Sequence, residues 1–291
     1  MITPTLFRKE YDKSLEVIGW GPFAYAIAIA LMEMPWENFL SSPLNTPPLK
    51  KLSQVKSAQS VAFELWQQDS RGVFKSSLNI PDVRILICER LEPSQKESDL
   101  LETLEPASHT LRVCANAPPG RPSPIALKKA HTMVCQLQDS SHEVKVLSVL
   151  KAVKGLAGAS IGPNLICFDL YDLQVILPLG SISQFVFACC RESSPALSAT
   201  QKALALVDLE LLNPHSNSAL LCLSKGGDMT FGDMESAALL LSETVGVDIQ
   251  VAFFSEKPKT AETTAYLYLS DNEGNEDRTP PKGPKFVFYT P

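Results

Sequence analysis

Short apolar runs alternate with helix-period segments along most of this chain, and no other feature constrains its fold more tightly. Strand-length runs separated by helices favour an α/β architecture with a largely parallel front sheet, because a parallel pair needs a long crossover. The runs read as strands are 15–19, 60–66 (SVAFELW), 83–88 (VRILIC), 110–115 (TLRVCA), 131–137 (HTMVCQL), 183–190 (SQFVFACC), 218–225 (SALLCLSK), 248–256 and 264–270. Helical patterns fall at 22–34, 142–157, 195–212 and 230–245, the last with Thr230 as its N-cap. By the same 3.6-residue period, the Met and Leu stripe over 234–241 faces the core. A Pro- and Ser-rich stretch follows Met34, and Gly226-Gly227-Asp228 reads as a turn. The last twenty residues are polar and Pro-rich and read as a tail, with Phe286–Tyr289 as an end that could dock.

Composition excludes several classes. With 291 residues the chain can bury a substantial core, and 45% hydrophobic with 20% charged residues is the profile of a globular protein. A net charge of −6 gives no general attraction to nucleic acid or anionic membrane, so neither is expected as a partner. No apolar run reaches the roughly 20 residues of a membrane span. The first residues, MITPTLFRKEYDKS, do not read as a signal peptide. The seven cysteines are odd in number, sit mostly in apolar strands and form no CxxC, which fits free buried thiols and a cytoplasmic location. On that reading Cys189-Cys190 is a buried strand pair. His109, His131, His142 and His215 have no ligand spacing and read as surface or strand-end residues, so no metal is expected.

The most specific local signal is LEVIGWGPFAYAIAIALMEM, Leu15–Met34: an apolar strand, a turn at Gly19-Trp20-Gly21, then an Ala-rich helix. Such a junction can converge backbone N–H groups on a phosphate. It can equally be a plain tight turn. A second signal is Asp169-Leu170-Tyr171-Asp172 in GPNLICFDLYDLQVIL. Its spacing suits an N-cap at Asp169 with a capping-box acid at Asp172, or a pair of carboxylates offered to a partner.

Taken with TLRVCANAPPGRP and SNSALLCLSKGGDMTFGDMESAALLLSETV, these motifs stand in the order of the FtsZ/tubulin family of polymerising GTPases, which the chain resembles from roughly 12 to 272. The junction is similar to that family's strand–GxGGxGxNAV–helix opening, and Asp169 and Asp172 fall on the carboxylates of its synergy loop, with Cys167 in place of the Asn. The resemblance implies a Rossmann-like N-terminal parallel-sheet domain, here shortened, and a C-terminal α+β domain. The implied divisions are 1–141 for the nucleotide-domain-like region, 142–162 for a connecting core helix, 163–272 for the C-terminal domain and 273–291 for the tail.

The departures fall on the chemistry. Pro22 supplies no N–H, and Phe23 places a ring where bare backbone is needed. Where the family's glycine-rich phosphate loop should stand, residues 89–108 hold no glycine and six acids: Glu89, Glu92, Glu97, Asp99, Glu102 and Glu105. Carboxylates there repel a polyphosphate. Gly19, Trp20, Gly21, Pro22 and Phe23 therefore read as a degenerate nucleotide loop; GTP is not expected to bind, no other cofactor is implied, and the protein reads as a pseudo-GTPase with no catalytic set. Asp169, Leu170, Tyr171 and Asp172 remain as an interaction site. The expected role is to bind or cap filaments of a true FtsZ-type GTPase, with self-association left open. The alternatives are an adaptor or scaffold that uses the acidic 89–108 stretch, or a divergent but active GTP-binding polymer subunit.

Overall fold

The computed structural model describes residues 15–20, 23–24, 27, 67–68, 74–75, 83–91, 98, 107–116, 129–135, 142–161, 170–191, 194–207, 217–225, 229–245, 248–255 and 262–271. Sequence-predicted features at 60–66, Gly226–Asp228 and the tail, including Phe286–Tyr289, lie outside them.

The strands are β1 (Leu15–Trp20), β2 (Gln67–Gln68), β3 (Phe74–Lys75), β4 (Val83–Arg90), β5 (His109–Asn116), β6 (His131–Cys135), β7 (Ile182–Cys190), β8 (Asn217–Lys225), β9 (Asp248–Ser255) and β10 (Thr263–Asp271). The helices are α1 (His142–Ile161), α2 (Leu170–Ile176), α3 (Pro195–Leu204) and α4 (Phe231–Val245). Phe23, Ala24 and Ile27 are also helical. Apart from the small β2–β3 ladder, the strands form one eight-stranded sheet in the order β1-β4-β5-β6-β7-β10-β8-β9.

β1, β4, β5, β6 and β7 run parallel to one another. β10 is antiparallel to both β7 and β8, and β8 is parallel to β9. The front and back halves thus share a sheet, joined where Thr132–Cys135 of β6 pair with Ile182–Phe185 of β7.

Two apolar layers cover the sheet's faces. On one face Ile85, Ile87, Leu111, Val113, Met133 and Phe185 pack under α1, together with Tyr266 and Tyr268 of β10. On the other, Val186, Leu221, Leu223, Leu267 and Leu269 pack under Ala196, Ala199 and Ala203 of α3 and Met234, Ala237, Ala238 and Leu241 of α4. The period-2 alternation of each strand assigns its residues to these layers.

α1 is buried along nearly its whole length and crosses β10 closely. A Cβ at Gly155 would clash with the Tyr268 hydroxyl and lie 2.9 Å from Tyr266 Cγ, so glycine sets how near the helix comes. The Tyr268 hydroxyl donates to the Ala152 carbonyl at 2.8 Å, and Lys151 lies 5.7 Å from the Phe187 ring centroid.

α4 starts as expected. Thr230 Oγ1 accepts the Asp233 N–H at 3.2 Å, and Asp233 Oδ2 accepts the Thr230 N–H at 3.0 Å, a reciprocal capping box. The Thr230 N–H first, and the Thr230 and Ser194 side chains after it, lower the pKa of Asp233 by hydrogen bonding its carboxylate. α3 ends earlier than its sequence pattern predicts, at Leu204 rather than 212. The Leu206 N–H bonds to Ala203 and the Val207 N–H to Leu204, and this tightened turn returns Val207 to the core while leaving Leu206 exposed.

Candidate functional site: two opposite ends of one sheet

β1 delivers the Gly-rich junction to the carboxyl-terminal end of the parallel strands. Val17, Ile18 and Gly19 are buried, and register places Gly19 beside Ile87 and Trp20 beside Cys88. The next residue of β4 is therefore at the junction, and it is Glu89. Its Oε1 accepts the Phe23 backbone N–H at 2.8 Å. A helix start leaves N–H groups unsatisfied and carries a partial positive charge, which an anion neutralises. Here the anion is the protein's own carboxylate. The Phe23 ring is partly buried and packs against the core cluster that includes α1. Gly21 and Pro22 lie outside the described residues.

Behind Glu89 the chain is held by Arg112, a fully buried residue of β5. Its Nη2 donates to the Arg90 carbonyl at 2.7 Å and its Nη1 to the Leu91 carbonyl at 2.6 Å. Sequence reasoning missed this residue. The signal available was a single Arg inside an otherwise apolar strand, where a charge needs built-in partners.

α2 lies at the opposite end of the sheet. Gln174 Nε2 donates to the carbonyl of Ser108, just before β5, and Ser218 at the start of β8 donates to the Ile176 carbonyl, both at 2.8 Å. β5 has eight residues, so roughly 25 Å of strand separates α2 from the Glu89 junction. Leu170 packs on the core, Leu173 and Ile176 are buried, Asp172 is half-buried in the first turn, and Tyr171 is 71% exposed. Asp169 and Cys167 lie outside the described residues, so Leu170, Tyr171 and Asp172 are the part of the expected site that can be placed.

Under the end of α2 lie His109 and His131, buried strand-start residues and not surface ones. His131 Nδ1 is 3.0 Å from the Pro178 carbonyl and 2.7 Å from Ser181 Oγ, and its Nε2 is 2.8 Å from Ser183 Oγ. Burial pushes its pKa down to about 3, with the Pro178 carbonyl opposing and His109 adding to the fall. Neither ring nitrogen of His109 has a well-aligned partner, and burial lowers its pKa to about 4, offset in part by the Leu177 backbone. Both rings are neutral near pH 7. Sequence spacing gave no hint of this pair, because β5 and β6 bring the two strand starts together only through their neighbouring places in the sheet.

Among the described residues no group of three metal-ligating side chains occurs, and no helix is long and apolar enough to cross a membrane.

No protein-family model matches the chain, and no curated protein matches it either. Solved structures do. The empty FtsZ dimer of M. jannaschii is similar with a TM-score of 0.50 and 12% identity, over 71% of each chain. A tryptophan-to-tyrosine mutant of M. jannaschii FtsZ is similar with a TM-score of 0.50 and 15% identity, over 66% of each chain. The fold is accordingly an α/β fold of the FtsZ/tubulin class. At these identities the likeness establishes the fold and leaves activity to the residues themselves.

Proposed function

We propose that this protein is a non-hydrolysing FtsZ-like regulator that docks on filaments of an authentic FtsZ-type GTPase through its α2 end and limits their growth. The observation that carries the reading is the Phe23 N–H bond to Glu89. A helix start already neutralised by an internal carboxylate, and followed by the acidic 89–108 stretch, disfavours a nucleotide polyphosphate. The opposite end of the sheet instead offers Tyr171 to solvent beside Asp172. Head-to-tail polymers use two unlike faces, and a subunit keeping only one of them adds once and blocks the next addition. The FtsZ dimer named above gives the precedent for association in this fold class, and self-association of this chain is the competing outcome.

Calorimetry with GTP, GDP and magnesium tests the first half; stoichiometric heat would overturn it and favour a divergent but active polymer subunit. Addition of substoichiometric protein to a polymerising FtsZ tests the second half. Shorter filaments or altered GTP turnover are expected, and Asp172→Ala should remove the effect. No change at a one-to-one ratio would overturn filament docking. Binding to another protein that depends on the acids of 89–108, and survives Asp172→Ala, would favour the adaptor reading.

A further inference from the structure

Cys88 and Cys114 are register partners on the parallel strands β4 and β5. Both are buried on the face away from α1, and their sulfurs lie 3.2 Å apart. Adjacent strands bring the two Cα atoms within the span that a disulfide bridges. Arg112 Nη1, which holds the Leu91 carbonyl, also donates to Cys114 Sγ at 2.9 Å. Cys88 Sγ is 3.5 Å from the Val113 carbonyl. This thiol pair with a guanidinium on one sulfur differs from every other described cysteine arrangement in the chain. Cys189 and Cys190 are consecutive in β7 and point to opposite faces, so they cannot close on each other. Cys190 has the Lys202 ammonium at 3.5 Å, and Cys189 the Thr264 hydroxyl at 3.4 Å.

We infer that Cys88 and Cys114 form an oxidation site, converted by peroxides to a disulfide that ties the ends of β4 and β5 beneath the Glu89 junction. Cys114 is the attacking sulfur, because Arg112 aims a cationic N–H at it. It attacks the O–O bond of a hydroperoxide and becomes a sulfenic acid; its proton leaves with the departing oxygen as an alcohol, or as water when the oxidant is hydrogen peroxide. The Cys88 sulfur then attacks the sulfenic sulfur, the S–S bond forms, and the hydroxyl leaves with the Cys88 proton as a second water. Two thiols are oxidised and one peroxide is reduced. Both residues are buried, Cys88 at 1% and Cys114 at 0% exposure, so the oxidant reaches them through local opening of the strand ends, where Glu89 is half-buried and Arg90 exposed. The product also alters the sulfur that Arg112 holds, and so reaches the Arg90 and Leu91 carbonyls that begin the acidic stretch.

The test is treatment of the native, reduced protein with hydrogen peroxide, followed by alkylation of the remaining thiols in denaturant and a non-reducing peptide map. The expected product has lost two hydrogens and contains peptides linked through Cys88 and Cys114. In Cys88→Ser a diketone reagent should capture a sulfenic acid at Cys114, and in Arg112→Lys the linked product should form several-fold more slowly. If a serine variant fails to fold, the wild-type peptide map decides alone. Oxidation confined to Cys189, linkage through other cysteines, or recovery of Cys88 and Cys114 as alkylated thiols would overturn the inference.

Discussion

The two ends of the sheet handle backbone and charge in opposite ways. At the carboxyl-terminal end the Phe23 N–H is capped by the Glu89 carboxylate and Arg112 holds the Arg90 and Leu91 carbonyls just behind, so these described polar groups are satisfied from within. At the other end α2 rests on two buried, neutral histidines and turns an aromatic ring outward. A surface that satisfies its own charges has little to offer an anion. A surface that keeps an exposed ring on a well-anchored helix has contact area to offer a protein.

Acidification should strain this contrast most. The folded pKa values of His109 and His131 lie at about 4 and about 3, below the ordinary 6.5. Between those values the unfolded chain binds more protons than the folded one, so stability is full above pH 6.5 and falls as pH drops. The loss is on the order of 3 kcal/mol for His109 alone as pH approaches its folded pKa. Urea unfolding at stepped pH measures it, and a His109→Gln variant should flatten the profile. A profile unchanged by that variant would remove His109 as a cause.

Gly155→Ala should come next, costing about 3 kcal/mol, because the added methyl meets Tyr268 and Tyr266 where neither can retreat. It should lower stability at both ends together, since α1 supports the whole sheet. Glu89→Ala should cost about 1 kcal/mol as a lost helix cap and leave the α2 end unchanged, which hydrogen exchange of the two regions would reveal. If Glu89→Ala instead gains phosphate or GTP binding, the internal carboxylate is the main barrier and the acidic stretch a minor one. Tyr171→Ala should change stability by no more than about 0.5 kcal/mol. On the proposed function the same variant abolishes the effect on filaments, so a small change in folding with a large one in assembly is the sharpest form of the contrast.

Much of the fold was legible in the chain. The strands at 83, 110, 131, 183, 218, 248 and 264, and the helix starts at 142, 195 and 230, fall within a residue or two of their observed places. Apolar period and turn residues are local, and local signals survive without a partner in view. The overlong reading of 195–212 failed because Leu206 continues the helical pattern, whereas the tertiary core draws Val207 inward through a tighter turn.

The site was legible in part. Pro22 and the missing glycines of 89–108 set the expectation of a closed nucleotide loop, and the Asp-x-x-Asp spacing set that of an interaction site at Asp169–Asp172. That Glu89 itself caps Phe23 across 66 positions could come only from β1 and β4 lying side by side. The same holds for the His109–His131 pair and for Cys88 facing Cys114. Sequence alone determined where most of the strands and helices begin, because period and capping act over a few residues. Tertiary structure decided which strands are neighbours, and therefore which distant carboxylate, imidazole or thiol each residue meets, because strand order in a sheet is chosen by burial of the whole face and by no single segment.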